Sequence, residues 1–154
     1  MYKRILVPLD GSSVAECVIP HVKAIAKSTD TEVELLGVAE PVDIPTRGNI
    51  ALSADDIKQI DSDTKKDLHN YLDTIRKQLV SSRIKVRSTV LSGKAADSLI
   101  SYAENNDVDL IIMATHGRSG INRWFWGSVA EKVLRAVKIP VLLVKTIACE
   151  DNAQ

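Results

Sequence analysis

Three glycines and a serine late in the chain carry the clearest chemistry. Gly117, Gly120 and Gly127, the last followed directly by Ser128, lie between two apolar patterns. Before them runs Leu110, Ile111, Ile112 and Met113; after them Val129, Val133, Leu134 and Val137 recur at helical spacing. A short apolar run ended by small and polar residues reads as a strand buried on both faces. The strand is expected to stop at Ala114, with Ser128 at the N-cap of the next helix and the glycines allowing close approaches that a side chain would forbid. A helix start presents unpaired N–H groups and the positive end of its dipole, which suits an anion and most often a phosphate. The same residues also suit a plain, tight strand-to-helix connection, and the local pattern leaves both readings open. Arg118 and Arg123, the cations inside this loop, would neutralise phosphate charge in the first reading and be merely solvated in the second.

A second polar point lies near the start of the chain. Ile5, Leu6, Val7 and Leu9 make a first strand that ends at Asp10-Gly11-Ser12-Ser13, a turn and N-cap signature. Asp10 suits a ribose hydroxyl, an outer Mg²⁺ ligand or the N-cap of the first helix.

The elements that position these residues follow from periodicity. A helix is expected directly after Ser13, with Val14, Val18, Val22, Ile25 and Ala26 on one stripe as far as about Lys27 and Pro20 bending or interrupting it. Val33, Leu35, Leu36 and Val38 form a second strand. From Ser53 or Ala54 to about Val80 runs a long amphipathic helix with Ile57, Ile60, Leu68, Tyr71, Leu72, Ile75 and Leu79 on one face and a solvated face of Asp and Lys. Ile84, Val86, Ser88 and Val90 alternate as a third strand. Gly93 introduces a third helix through Ala95, Leu99 and Ala103, and Val141, Leu142, Leu143 and Val144 form a fifth strand.

Strands alternating with helices specify an α/β domain with a parallel sheet. Right-handed crossovers carry the first three strands outward, and the chain then returns to place the fourth beside the first. A ligand crevice is expected at that switch point, outside the carboxyl ends of the strands. Pro8 and Asp10 end strand one, Val38 ends strand two, and Met113 and the loop to Ser128 follow from strand four, so separately noticed features converge on one crevice. Neither a P-loop G-x-x-x-x-G-K-[ST] nor a G-x-G-x-x-G after the first strand is present, which removes the P-loop and NAD-type readings.

Bulk composition sets the outer limits. Hydrophobic content of 45% and charge of 26% describe an ordinary globular chain, and the 20 basic and 20 acidic residues cancel, so no global field gathers nucleic acid or an anionic membrane surface. The 154 residues suit one domain over 1–146 with a polar tail over 147–154. No apolar run reaches the roughly 20 residues that cross a bilayer, and Pro8 and Asp10 cut short any signal-like run, so a cytoplasmic protein is expected. Cys17 and Cys149 lie far apart, with no C-x-x-C or His cluster to suggest a disulfide, zinc or redox site.

From Lys3 to Lys145 the chain resembles the universal stress protein family. The residues that carry the resemblance are I-L-V-P-L-D-G-S, L-L-G-V, A-T-H-G-R-S-G-I-N-R-W-F-W-G-S-V-A-E-K-V-L and P-V-L-L-V-K. The nucleotide-binding branch of that family carries Gly, two residues, Gly, nine residues, Gly, then Ser or Thr. Gly117, Gly127 and Ser128 match, and Ala114 replaces the first glycine. Its added methyl crowds the approach of backbone to nucleotide.

The resemblance implies a doubly wound five-stranded parallel sheet of order 3-2-1-4-5 with helices on both faces, as in adenine nucleotide alpha hydrolase-like folds. It implies ATP, or ADP or AMP, with or without Mg²⁺. Pro8, the Val38 backbone and Met113 would meet the base, and Asp10 the ribose. The phosphates would be held by Ala114, Thr115, His116, Gly117, Arg118, Ser119 and Gly120 and by Gly127, Ser128, Val129 and Ala130. It further implies a homodimer through the fifth strand, Val141 to Val144, which would cover an otherwise flat apolar edge. Trp124, Phe125 and Trp126 are half of the chain's six aromatic residues, and since a run of three cannot all face one core, at least one is expected to meet the dimer partner, solvent or another protein.

Three functions compete on this reading: an ATP-binding dimeric regulator or sensor in the stress response, a slow ATPase with His116 as its base candidate, and a dimeric interaction module that binds no nucleotide.

Overall fold

The computed structural model describes residues 2–27, 30–41, 53–115 and 127–145. In chain order these form β1 (Arg4–Pro8), a 3-10 turn (Ala15–Val18), α1 (Ile19–Lys27), β2 (Glu32–Ala39), α2 (Ala54–Val80), β3 (Lys85–Ser92), α3 (Ala95–Asn105), β4 (Leu110–Ala114), α4 (Ser128–Ala136) and β5 (Val141–Val144). Every neighbouring pair of strands is parallel, in the order β3-β2-β1-β4-β5. This is the expected 3-2-1-4-5 sheet.

Alternation along the strands divides the core into two layers, because successive side chains point to opposite faces. Ile5, Val7, Val33, Leu35 and Ile112 pack with Val18 and Val22 of the 3-10 turn and α1 and with Leu72, Ile75 and Leu79 of α2. Leu6, Leu36, Ile111 and Met113 pack instead with Leu99 and Ala103 of α3 and with Ala130 and Val133 of α4. One carboxylate is buried among the described residues: Glu34, which accepts a 2.8 Å hydrogen bond from Thr89 Oγ1 of the adjacent strand β3. That bond offsets part of the cost of removing a charge from water.

The segment after β1 departs from the expected immediate helix. Gly11 adopts φ +83°, which turns the chain so that Asp10 Oδ1 accepts both the Ser12 N–H (2.9 Å) and the Ser12 Oγ–H (2.5 Å). Ser12 Oγ in turn accepts from Ala15 N–H at 3.2 Å. Side chains that satisfy the backbone locally compete with the helix. The chain therefore makes a 3-10 turn first and an α-helix only from Ile19. Pro20 is the second residue of α1, where its missing N–H costs nothing, so it opens the helix instead of bending it. Val14 falls outside both helical segments and is exposed.

Helix α2 begins and ends where its periodicity places it. Ser53 Oγ accepts from Asp56 N–H at 3.1 Å and Asp56 Oδ2 accepts from Ser53 N–H at 3.0 Å, a reciprocal cap that satisfies two end groups at once. Burial starts later than the pattern suggests. Ile60 is 37% exposed, and the buried residues are Leu68, Leu72, Ile75 and Leu79, so the sheet supports only the C-terminal part of the helix.

Gly37 lets α2 approach β2 closely. A Cβ at this position would stand 2.8 Å from both Cδ2 and Cγ of Leu68. Gly37→Ala is expected to cost about 1–3 kcal/mol in urea unfolding, as overpacking does, and Leu68→Ala in the same chain to relieve part of that loss. An unchanged midpoint for the single variant would show that the contact is soft.

On the exposed side of α2, Asp73 is paired with Lys77 at 2.7 Å and Arg76 at 2.6 Å, and these partners hold its carboxyl down to about 2. A depressed carboxyl stabilises the fold above its unfolded value of about 3.9 and stops doing so as pH falls through about 2. The stability difference between the parent chain and Asp73→Asn should therefore narrow from pH 5 to pH 2 in chemical denaturation. A difference independent of pH would contradict the pairing.

Candidate functional site

A cleft of about 720 Å³ opens at the carboxyl ends of β1, β2 and β4. It is an outcome of topology. β1 is hydrogen-bonded to β2 on one side and to β4 on the other, and the helices that leave those strands cover opposite faces of the sheet. Their departure leaves a gap at the switch.

The expected site residues that fall among the described residues all line this cleft. Pro8 and Asp10 come from the end of β1, Val38 from β2, Met113 and Ala114 from β4 with Thr115 just after, and Gly127, Ser128, Val129 and Ala130 from the start of α4. His116, Gly117, Arg118, Ser119 and Gly120 lie outside the described residues, as do Arg123, Trp124, Phe125 and Trp126.

The two ends of the glycine loop are joined. Gly127 N–H donates to Thr115 O at 2.6 Å, and Thr115 N–H donates to Val144 O at 3.0 Å, which ties the corner into the β4–β5 ladder. Gly127 occupies the N-cap, and Ser128 is the first residue inside α4 instead of the expected cap. No side chain among the described residues caps this end. The amides of Ser128, Val129 and Ala130 belong to a first helical turn, whose N–H groups have no partner within the helix.

Helix α3, whose first residue Ala95 also lines the cleft, is different. Glu40, just past the end of β2, accepts the Ala95 N–H on Oε1 at 2.8 Å. The protein thus supplies its own anion to α3 and leaves α4 to the cleft.

A wall that the sequence did not indicate comes from α2. Thr64, Asp67, Leu68 and Tyr71, spaced as one helical face, line the side of the cleft beyond Val38. Leu68 and Tyr71 are legible only as members of an apolar stripe, and Thr64 and Asp67 as part of a solvated face. Glu40 carries no local signal either, because its partner lies 55 residues away.

The cleft's described lining carries the carboxylates of Asp10, Glu40 and Asp67 and neither Lys nor Arg. Positive potential in this lining therefore comes from the backbone at the start of α4. Among the described residues no group of three or more His, Cys, Asp or Glu is placed to hold a metal ion. Cys17 is a buried thiol.

Tyr71 Oη is buried without a hydrogen-bond partner among the described residues. Burial raises the phenol's pKa above its usual range, and the Glu16 carboxylate reinforces this from close by, though outside hydrogen-bonding geometry; Asp10 adds to the effect. The hydroxyl is accordingly a neutral donor.

A shallower depression of about 500 Å³ lies along α2 and β3, between Lys65, Lys66, His69, Asn70 and Val90. Its lysines are engaged by Asp61 and Asp63, and none of the sequence signals converges there.

Known proteins share this architecture. The sequence profile of the universal stress protein family matches residues 1–145. Universal stress protein MJ0531 of Methanocaldococcus jannaschii is 32% identical over 148 residues, covering 94% of this chain and 83% of that protein. Universal stress protein MJ0577 of the same organism is 32% identical over 155 residues, covering 94% and 96% of the two chains. Its solved structure superposes with a TM-score of 0.76. A universal stress protein family protein from Arabidopsis thaliana, solved with AMP bound, shares the fold at a TM-score of 0.69 and 14% identity, covering 99% of this chain and 97% of its own. With a family match across nearly its whole length and relatives of this similarity, the chain belongs to the universal stress protein family.

Proposed function

We propose that this chain binds an adenine nucleotide, ATP in the first instance, in the cleft at the β1–β4 switch, and that it works as a nucleotide-dependent regulator in the stress response. The observation that carries the reading is the contrast between two helix starts on one cleft. α3 has its anion in Glu40, whereas α4 opens with a glycine and has no side-chain cap on its first turn, which lines the same cleft.

The phosphates sit at Ser128, Val129 and Ala130, with Ala114, Thr115, His116, Gly117, Arg118, Ser119 and Gly120 as further contacts and the Arg118 guanidinium supplying charge. Asp10 accepts from the ribose, and Pro8, Val38 and Met113 flank the base. A volume of about 720 Å³ falls in the range of small-molecule sites. Mg²⁺, a reluctant partner for all-protein cages, is held largely by phosphate oxygens and water in such a site. The AMP complex of the Arabidopsis protein supports an adenine nucleotide as the ligand class.

The protein acts as a cytoplasmic homodimer joined through β5. In the single chain Val141, Leu142 and Leu143 of this edge strand stay half-buried and only Val144 is fully covered, which supports an edge that a second copy completes. No helix among the described residues is long and apolar enough to cross a membrane.

Calorimetric titration with ATP and Mg²⁺ tests the binding site. The parent chain is expected to bind. Ser128→Asp places a carboxylate at the first turn of α4, where it suits the helix dipole but repels phosphate, so affinity should fall at least about tenfold while the melting temperature holds or rises. Equal affinity in both proteins would place the phosphates elsewhere. In sedimentation equilibrium the protein should behave as a dimer, and a monomer at micromolar concentration would remove the β5 interface.

A further inference from the structure

The α2 wall of the cleft offers acceptors. Thr64, Asp67, Leu68 and Tyr71 recur at the spacing of one helical face and all line the cleft. Thr64 Oγ1 donates its proton to Ile60 O at 2.8 Å, so its remaining capacity toward a ligand is to accept. Asp67 is exposed, and no ion pair joins it to a cation among the described residues. Its helical neighbours account for this. Asp63, Thr64, Asn70 and Tyr71, three and four residues away, include no cation, while Lys65 and Lys66 are paired with Asp61 at 2.7 Å and Asp63 at 3.7 Å.

Packing fixes where this carboxylate stands along the cleft. Leu68, next to Asp67 in sequence, approaches Gly37 so closely that a Cβ there would meet its Cδ2 at 2.8 Å. Gly37 directly precedes Val38, so the α2 turn that carries Asp67 sits against the end of β2. Val38 turns its backbone to the same space. The β1–β2 register ends at Pro8 and Leu36, and Leu36 O accepts the Leu9 N–H at 2.9 Å. Successive residues of a strand point their N–H and C=O to alternate sides. Val38 therefore presents its pair on the same side as Leu36, past the end of β1 and toward the cleft that both residues line.

A base held edge-on by one backbone donor and one backbone acceptor matches a ring nitrogen beside one N–H of an amino group. The amino group keeps a second N–H. A carboxylate accepts that hydrogen and has nothing to donate.

We infer that Asp67 accepts the second N–H of the base's exocyclic amino group, and so selects adenine over a purine that lacks the group. This rests on the nucleotide reading of the cleft given above. A site built to hydrogen-bond a ligand N–H rejects the analogue without it, because the base then covers an acceptor and leaves it unsatisfied.

The test titrates ATP and purine riboside 5′-triphosphate, which carries hydrogen in place of the amino group, into the full chain and into Asp67→Ala by calorimetry at one salt concentration. The parent chain should bind ATP at least about tenfold more tightly than the analogue, which forfeits the bonds to Val38 and Asp67 together. Asp67→Ala should shrink that ratio about fivefold, the remainder belonging to the Val38 carbonyl. The ratio is the readout because removing a negative charge strengthens the binding of both triphosphates alike. The ligand-free melting temperature should stay at the parent's value, since Asp67 is exposed.

Equal affinity of the parent chain for the two nucleotides, or a ratio unchanged in Asp67→Ala, would overturn the inference while leaving the nucleotide site standing. Failure of the parent chain to bind either would overturn both the inference and the nucleotide reading on which it rests.

Discussion

Strand β1 is the constraint on which the structure depends. Ile5 and Leu6 are fully buried and pair on one side with Val33 and Glu34 of β2 and on the other with Leu110 and Ile111 of β4. Because both flanks are taken by parallel neighbours, the chain leaves β1 on the α1–α2 face and comes back to β4 by way of α3 on the other. The carboxyl ends of β1 and β4 are thus the place where the helical layers part, and the ends of three strands and the start of α4 converge there without any one of them encoding a pocket. The nucleotide cleft we propose is this topological gap, lined by backbone on one side and by α2 on the other.

What fills the gap is decided by which helix starts are already satisfied. Two helices open toward the cleft, and a dipole alone would not distinguish them. Glu40 makes the distinction by bonding Ala95. Gly127 makes the opposite choice at α4, since a glycine N-cap brings no side-chain acceptor. Carboxylates at Asp10, Glu40 and Asp67 leave the remaining described lining acidic, so in the function we propose the hydroxyl and base groups lie away from α4 and the phosphates lie at it.

Much of this was legible in the sequence, for reasons that can be stated residue by residue. Apolar runs marked most of the parallel strands and alternation marked β3, Ser53 marked the start of α2, and the glycine-serine corner with Pro8, Asp10 and Val38 marked the cleft. Misses share a cause, a side chain engaged at a distance or in competition with the local pattern. Asp10 was a plausible helix cap, but its bonds to Ser12 formed an Asx turn that delayed the α-helix to Ile19. Glu34 sits in an apolar run and is tolerated because Thr89 reaches it from the next strand. Glu40 acts across 55 residues, and Asp67 and Tyr71 look like any amphipathic helix until α2 is packed beside β2, an approach that Gly37 permits.

The central claim is that phosphate oxygens occupy the first turn of α4 and leave α3 to Glu40. Amide-resolved NMR during an ATP titration addresses it most directly. Phosphate at the first turn of α4 should shift the N–H signals of Ser128, Val129 and Ala130 strongly and leave the Ala95 N–H little changed. Shifts centred on Ala95, or none at Ser128 to Ala130 at saturating nucleotide, would contradict it.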